Sequence, residues 1–246
     1  MSTWHFLARK DSSPACKAKV DVGFILDSSG SLRNEYDKEK NFTKALAKSF
    51  GVSEDGARAG VVTFSYNSEL SIKLSDHKSL STFDNAVDEI PLMGYTTRID
   101  KALSMSMKEL FLSANGGRPG IPKVLILMTD GTQSQDADAE DPNRIASEIR
   151  NKGIKLVIIG IGTGVDKKEL LKLGGNHKED IFTASTFEEL LKAPFIDAVT
   201  KSSCDAGTQS IFYLYLFFNS NQLKHDWEYF LFKKHNRMQV SGLETF

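Results

Sequence analysis

Long apolar runs are absent from this sequence of 246 residues. Because no stretch reaches the about 18 apolar residues that a transmembrane helix needs, we expect no membrane insertion. The N-terminal stretch MSTWHFLARKDSSPAC lacks the apolar centre of a secretory signal peptide. An excess of one charge is also absent, since 31 Lys and Arg residues oppose 32 Asp and Glu residues. We therefore expect no nucleic-acid partner.

Cysteine is scarce as well. The chain has two, Cys16 and Cys204, and they bracket nearly every segment with a folded pattern. Their number alone leaves two free thiols and one disulfide equally open. Hydrophobic residues make up 40% of the chain and charged residues 26%, which is usual for a soluble globular protein. The length allows one large domain or two small ones.

Predicted strands and helices alternate along residues 20–203. Continuous apolar runs in VDVGFILD (20–27), KVLILMTD (123–130) and KLVIIGIG (155–162) predict strands that are covered on both faces. ELSIKL (69–74) alternates instead, which is typical of an antiparallel edge strand. The pattern predicts an α/β fold with a doubly wound, mostly parallel central sheet, one antiparallel edge strand and helices on both faces.

The same pattern divides the chain into three parts. Residues 1–17 form an N-terminal extension, residues 18–204 the α/β domain, and residues 205–246 a tail without a recognisable period. Within the domain, the charged run YDKEKN (36–41) predicts the solvent-facing side of the first helix. TFEELLKAPFIDAV (186–199) predicts one final helix.

Small oxygen-bearing residues follow the predicted strands. DSSGS (27–31) ends the first strand, and further candidates end another strand or precede a helix. In a doubly wound sheet, ligands bind beyond the carboxyl ends of the strands, where the strand order reverses. Hard cations such as Mg²⁺ bind oxygen ligands. The sequence therefore favours a metal site made by Asp27, Ser29, Ser31, Thr97 and Asp130.

A helix cap, a nucleotide site or a nucleophile would account for fewer of these residues. A cap explains one serine or aspartate but not Asp130. A dinucleotide site needs three glycines in the first turn, where this chain has only Gly30. A serine nucleophile needs a base, and no histidine lies near the carboxyl end of a strand. Aspartyl phosphotransfer stays open, although the nearest basic residues, Arg98 and Lys101, belong to a helix with a predicted structural role.

Three motifs in this order resemble the von Willebrand factor type A (vWA) domain family. VDVGFILDSSGS (20–31) is similar to its D-x-S-x-S motif, GYTTRIDKAL (94–103) to its threonine loop, and VLILMTDGTQSQD (124–136) to its T-D-G segment. The resemblance covers about residues 18–203. It implies a metal-ion-dependent adhesion site, at which the cation accepts a carboxylate from a partner protein and no covalent bond changes.

The resemblance also implies a role for each site residue. Ser29 and Ser31 would bind Mg²⁺ or Mn²⁺ directly, and Thr97 would join them when a ligand is present, with Thr96 as the neighbouring alternative. Asp27 and Asp130 would act through waters or hydrogen bonds.

The segment TDGTQSQDAD (129–138) looks closer to extracellular-matrix members of the family, such as matrilins and the A domains of non-fibrillar collagens. Such domains bind collagens and other matrix proteins or assemble into oligomers and networks. The resemblance thus implies a secreted, non-enzymatic adhesion or matrix domain. An intracellular vWA scaffold domain and a metal-dependent phosphotransferase or hydrolase are the alternatives.

Two further expectations concern secretion. Like many secreted members of the family, the chain would carry a Cys16–Cys204 disulfide where the first strand begins and the last helix ends. A secreted chain without a visible signal peptide suggests a fragment. Asn41 begins a glycosylation sequon, Asn-Phe-Thr, although a predicted helix is a poor site for the transferase.

Overall fold

The structure, a computed structural model, describes residues 19–204, and six strands within them form one sheet. The strands are β1 (Asp21–Asp27), β2 (Arg58–Phe64), β3 (Ser68–Ile72), β4 (Lys123–Thr129), β5 (Ile154–Ile161) and β6 (Ile181–Ala184). The helices are α1 (Tyr36–Phe50), α2 (Leu80–Asp88), α3 (Ile99–Met105), α4 (Pro142–Asn151), α5 (Lys167–Leu173), α6 (Phe187–Leu190) and α7 (Ala193–Cys204). A π-helical turn, Ser106–Leu110, continues α3, and short 3-10 helices span Gly30–Leu32, Ser113–Asn115 and Lys178–Asp180.

The strand order is β3-β2-β1-β4-β5-β6, and only β3 is antiparallel to its neighbour. This arrangement confirms the predicted fold class. The chain moves from β1 outward to β2 and β3, then returns to the other side of β1 to begin β4. Strand order therefore reverses between β1 and β4, and their carboxyl ends lie side by side.

Hydrophobic cores cover both faces of the sheet. All seven residues of β1 are buried, which explains the unbroken apolar run in the sequence. One core packs apolar residues of α1, α2, α6 and α7 against one face, and the other packs α3, α4 and α5 against the opposite face. Within residues 19–204, no helix is both long and apolar enough to cross a membrane.

The predicted final helix is wrong in one respect, because the structure divides it into α6 and α7. Pro194 lies in the first turn of α7. Proline lacks the N–H that a helix interior needs but is tolerated in a first turn, so the break precedes it. Asp141 caps the amino end of α4, since its side chain accepts a hydrogen bond from the Asn143 N–H.

The charged run 36–41 is only partly on the solvent-exposed side of α1, so this prediction is wrong for two of its charged residues. Glu39 is fully buried and Lys40 is nearly so, while Asp37 and Asn41 are exposed. The Lys40 ammonium reaches the surface to donate to the Asp88 carbonyl oxygen at 3.1 Å and to pair with Asp37 at 3.0 Å. A long side chain can thus bury its stem and keep its charge compensated.

The predicted modification sites are only partly described. Cys204 ends α7, whereas Cys16 and the tail 205–246 lie outside the described residues. Asn41 is exposed on α1, but the hydroxyl of Thr43 is buried and donates to the Glu39 carbonyl oxygen at 3.0 Å. Glycosylation at Asn41 stays a prediction. The glycosyltransferase would have to bind this sequon before α1 forms. The mass of the protein secreted from eukaryotic cells would show whether a glycan is attached.

A buried ion pair fixes the amino-terminal edge of the sheet. The Arg118 guanidinium donates to Asp21 at 2.7 Å, to the Gly56 carbonyl oxygen at 3.0 Å and to the Val20 carbonyl oxygen at 2.9 Å. Its backbone N–H also donates to Asp21 at 2.7 Å. Because the Asp21 carboxylate is fully buried, it depends on this arginine for a counter-charge.

Replacing Arg118 by methionine should therefore destabilise the domain strongly. Leaving a buried carboxylate without its partner typically costs about 3–5 kcal/mol. The matched control is Arg144→Met, because Arg144 also contacts two carboxylates, Glu140 and Glu148, but on the surface of the protein. The control should lose less than about 1 kcal/mol. Urea denaturation measures both free energies of unfolding, and equal losses would show that Asp21 does not depend on Arg118.

Candidate metal-binding site

The candidate site lies at the carboxyl ends of β1 and β4. Asp27 is the last residue of β1, and Asp130 directly follows β4. The two strands pair in parallel, with Ile25 opposite Leu127. Strand order reverses between them, so this edge holds the crevice in which doubly wound sheets bind their ligands.

A chain of short oxygen contacts crosses this crevice. The Ser29 and Ser31 hydroxyl oxygens are 3.0 Å apart, and the Ser31 hydroxyl donates to Asp130 Oδ1 at 3.1 Å. Neighbouring oxygens around an octahedral Mg²⁺ with bonds of about 2.1 Å are about 3.0 Å apart. The spacing of the two serine oxygens therefore fits neighbouring ligands of a divalent cation, and the Asp130 carboxylate lies beside them.

Asp27 holds this arrangement from below. Its Oδ1 accepts a hydrogen bond from the Ser29 N–H at 3.0 Å, and its Oδ2 accepts one from the Thr129 hydroxyl at 2.7 Å. The carboxylate is fully buried, and both of its oxygens are engaged. Asp27 thus positions the DSSGS turn against β4.

The threonine loop closes over the turn from the other side. The Gly30 N–H donates to the Tyr95 carbonyl oxygen at 2.8 Å, and the Gly94 N–H donates to the Ser28 carbonyl oxygen at 2.8 Å. A side chain at position 30 would lie only 3.1 Å from the Gly94 carbonyl oxygen, so glycine permits this close approach.

Thr97 lies beside the segment that follows β4. Its N–H donates to the Ser134 hydroxyl at 3.0 Å, and its carbonyl oxygen accepts from the Ser134 N–H at 2.9 Å. The Thr97 hydroxyl would be 3.8 Å from a Cβ at position 131, the residue next to Asp130. Thr97 is half-buried here, whereas Thr96 is exposed.

A buried arginine ties the threonine loop to the segment after β4. The Arg98 guanidinium donates two hydrogen bonds to Asp100, at 2.9 and 2.7 Å, and one to Asp138 at 2.6 Å. Gln133 and the Glu140 N–H also donate to Asp100, at 2.6 and 3.0 Å. Burial alone would raise the pKa of Asp100, but these hydrogen bonds outweigh it and hold the pKa well below its usual range.

Sequence reasoning missed Glu39, which lies directly behind Asp27. Its Oε1 accepts a hydrogen bond from the Asp27 N–H at 3.0 Å, while its Oε2 is buried without a hydrogen-bond partner among residues 19–204. Burial, together with repulsion from Asp27 and Asp130, raises the pKa of Glu39 well above its ordinary value. The helical period could have revealed it, because Tyr36, Glu39 and Thr43 share the buried face of α1.

The crevice therefore collects acidic groups whose burial raises their pKa values. Burial raises the pKa of Asp27 to about 6, although hydrogen bonds from Ser29 and Thr129 partly offset it and repulsion by Asp130 adds to it. Burial also raises the pKa of Asp130, and the hydrogen bond from Ser31 opposes this shift. Among the described residues, no basic side chain is one of the main causes of either shift. A bound cation would supply the missing positive charge.

The donor chemistry also limits which metal fits. Among residues 19–204, no group of three or more His, Cys, Asp and Glu side chains could hold a metal ion. The candidate site combines hydroxyls with carboxylates, and such all-oxygen ligands suit hard cations such as Mg²⁺ and Mn²⁺.

Comparison with known proteins points to one family. The von Willebrand factor type A domain model matches residues 21–194. The chain is 31% identical over 186 residues to cuticlin-6 of Caenorhabditis elegans, covering 75% of this chain and 31% of that protein. It is 34% identical over 178 residues to the human (Homo sapiens) collagen alpha-6(VI) chain, covering 72% and 8%. It is 32% identical over 148 residues to matrilin-1 of Gallus gallus, covering 60% and 29%. The chain thus spans less than a third of the length of these relatives.

A solved structure of proximal thread matrix protein 1 from the mussel byssus, with a zinc-occupied metal-ion-dependent adhesion site, is also similar. It aligns with a TM-score of 0.67 at 28% identity and covers 77% of this chain and 46% of that chain. The family match extends over most of the described residues and includes β1, β4 and the DSSGS turn. The resemblance carried by the three sequence motifs is therefore confirmed, and the chain belongs to the von Willebrand factor type A domain family.

Proposed function

We propose that this domain is a non-enzymatic adhesion or matrix module that binds an acidic side chain of a partner protein through Mg²⁺ or Mn²⁺. The observation that carries the proposal is the pair of Ser29 and Ser31 hydroxyl oxygens at the spacing of an octahedral site, with Asp130 hydrogen-bonded to Ser31 beside them. Thr97 would complete the ligand set when the partner is bound, and Asp27 would orient the serines. The cation would offer an open coordination position to the partner's carboxylate.

An extracellular location and a matrix partner are part of this proposal. Similarity to proteins named as a collagen chain, a matrilin and a thread matrix protein supports them. The occupied adhesion site of the mussel protein supports divalent-cation binding as such. The chain spans only part of these relatives. We therefore propose by analogy that its ligand is collagen or another matrix protein and that it assembles into oligomers.

An enzymatic alternative has little support near the crevice. Catalysis on a similar sheet would need a base or a cation next to Asp27. Lys101 instead lies over the Tyr66 ring at 4.3 Å from its centroid, and Arg98 is bound to Asp100. Of the histidines in residues 19–204, His77 packs edge-on against Phe83, and His177 pairs with Glu179.

Replacing Ser31 by alanine should weaken Mg²⁺ and Mn²⁺ binding at least about tenfold, because it removes one oxygen of the proposed site. Ser31 is exposed, so the fold should survive. The matched control is Ser71→Ala, which removes a hydroxyl bonded to Thr63 between β2 and β3. Calorimetry measures the affinities, and circular dichroism verifies the fold.

Unchanged affinity in Ser31→Ala would refute the assignment of Ser31. Absence of cation binding by the wild-type protein, both alone and with a glutamate-bearing peptide, would refute the proposed function.

Cation affinity should also depend on pH. With a pKa of about 6, only about a tenth of Asp27 is ionised at pH 5, whereas most of it is ionised at pH 7. Since the cation favours the ionised carboxylate, binding should be at least about tenfold weaker at pH 5 than at pH 7. The raised pKa of Asp130 acts in the same direction. Calorimetry at constant ionic strength tests this, and equal affinities at the two pH values would contradict it.

We also propose that a Cys16–Cys204 disulfide forms in the secreted protein. The described residues include no free cysteine, and Cys204 ends α7. Thiol labelling of the denatured, unreduced protein should find no reactive thiol, and labelling after reduction should find both. Two reactive thiols before reduction would reject the disulfide and favour the intracellular scaffold alternative.

A further inference from the structure

Two of the large hydrophobic side chains on the surface lie in one groove next to the candidate metal site. Within residues 19–204, four such side chains are exposed: Tyr66, Tyr95, Leu112 and Leu191. Tyr66 is 44% and Tyr95 72% exposed, and both line a cavity of about 550 Å³ together with Met93, Asn67, Ser68 and Glu69. Scattered apolar side chains are ordinary on a surface, but two tyrosines and a methionine in one groove indicate a contact surface.

The groove and the candidate metal site share one loop. Tyr95 forms an isolated bridge with Ser29, and its carbonyl oxygen accepts the Gly30 N–H at 2.8 Å. The Met93 N–H donates to the Ser28 hydroxyl at 2.6 Å. Thr97, the proposed ligand, follows Tyr95 by two residues. A partner segment whose carboxylate reaches the cation would therefore pass the tyrosines.

The charges around the groove favour an uncharged occupant. The Lys101 ammonium lies 4.3 Å from the centroid of the Tyr66 ring and so takes the position that a partner's lysine or arginine would need. Glu69 lines the other part of the groove and would repel an acidic side chain. What remains is a groove with the apolar side chains of Met93, Tyr66 and Tyr95 and with hydroxyl and amide groups from Ser68 and Asn67.

We propose that this tyrosine groove binds a proline of the same partner segment whose acidic side chain binds the cation. An extended, proline-containing strand loses little conformational entropy on binding, and aromatic-lined grooves recognise such strands. The Tyr95 hydroxyl can stay in water while its ring face covers the proline ring, and Tyr66 lines the groove beside it. This inference rests on the proposed function and adds a specificity for partners in which proline lies close to an acidic residue.

The test uses the full chain with Mg²⁺ and blocked synthetic peptides. The main probe is Pro-Pro-Pro-Glu-Pro-Pro-Pro, which offers proline on both sides of the glutamate. Comparison peptides replace all prolines by alanine, all prolines by arginine, or glutamate by glutamine. The wild-type protein should bind the proline–glutamate peptide at least tenfold more tightly than the alanine–glutamate peptide.

Tyr95→Ala should abolish this preference without changing the affinity for Mg²⁺ more than twofold. Since Tyr95 is largely exposed, the variant should fold normally. Leu112→Ala is the matched control, because it removes another exposed hydrophobic side chain, in the connection that leads to the amino end of β4. It should leave both affinities unchanged.

The outcomes separate the groove from the metal site. Binding that needs Mg²⁺ and glutamate but ignores proline and Tyr95 would overturn the groove proposal and leave the proposed function intact. Tighter binding of the arginine peptide, or a proline preference that survives Tyr95→Ala, would also overturn it. If the wild-type protein neither binds Mg²⁺ nor distinguishes glutamate from glutamine, the proposed function itself fails.

Discussion

Burial of the Asp27 carboxylate is the constraint on which the rest of the candidate site depends. A carboxylate removed from water must be protonated, hydrogen-bonded or paired with a cation. Asp27 accepts hydrogen bonds from the Ser29 N–H and the Thr129 hydroxyl, and these two bonds join the DSSGS turn to β4. Glu39 lies behind it and accepts the Asp27 N–H at the end of β1. The same desolvation that raises the pKa of Asp27 thus makes the crevice a favourable place for a cation.

The acidic groups next to this edge of the sheet are stabilised in opposite ways. Asp100 has its positive charge inside the fold, because Arg98 binds it in a bidentate manner at the base of the threonine loop. Asp27 and Asp130 have no such partner among the described residues. The Arg98–Asp100 pair fixes the loop that carries Thr97 before any ligand binds. The negative charge of Asp27 and Asp130 is left for a bound cation to neutralise. A cation entering such a site would order few additional groups, so little of its binding energy would be lost to entropy.

Much of this architecture can be predicted from the sequence, for reasons that differ from element to element. The unbroken apolar runs of β1, β4 and β5 indicate strands covered on both faces, and strand order alone brings Asp27 and Asp130 to one edge. The burial of Glu39 is not predicted from its residue type, because charged residues are normally exposed. Only its position on the same side of α1 as the other buried residues indicates it. Arg98 is expected to have a structural role, but its ion pair with Asp138 escapes prediction because Asp138 lies on a segment that reaches Arg98 only in the folded chain. The break before α7 can be predicted from Pro194, because proline is favoured in the first turn of a helix and disfavoured in its interior.

The backbone and the side chains of the threonine loop have different roles. Between Met93 and Thr97 the chain touches the DSSGS turn through the Met93 N–H and the Tyr95 carbonyl oxygen, so its backbone is held while its side chains are free to differ. The oxygen ligands must keep one spacing to hold a cation, whereas Tyr95 contributes no side-chain oxygen to that set and faces solvent. Substitutions at such a position can change which partner is accepted without disturbing the affinity for the metal. Under the proposed function, a vWA domain built in this way would retain one metal chemistry and still distinguish among acidic partners by the residue that lies beside the carboxylate.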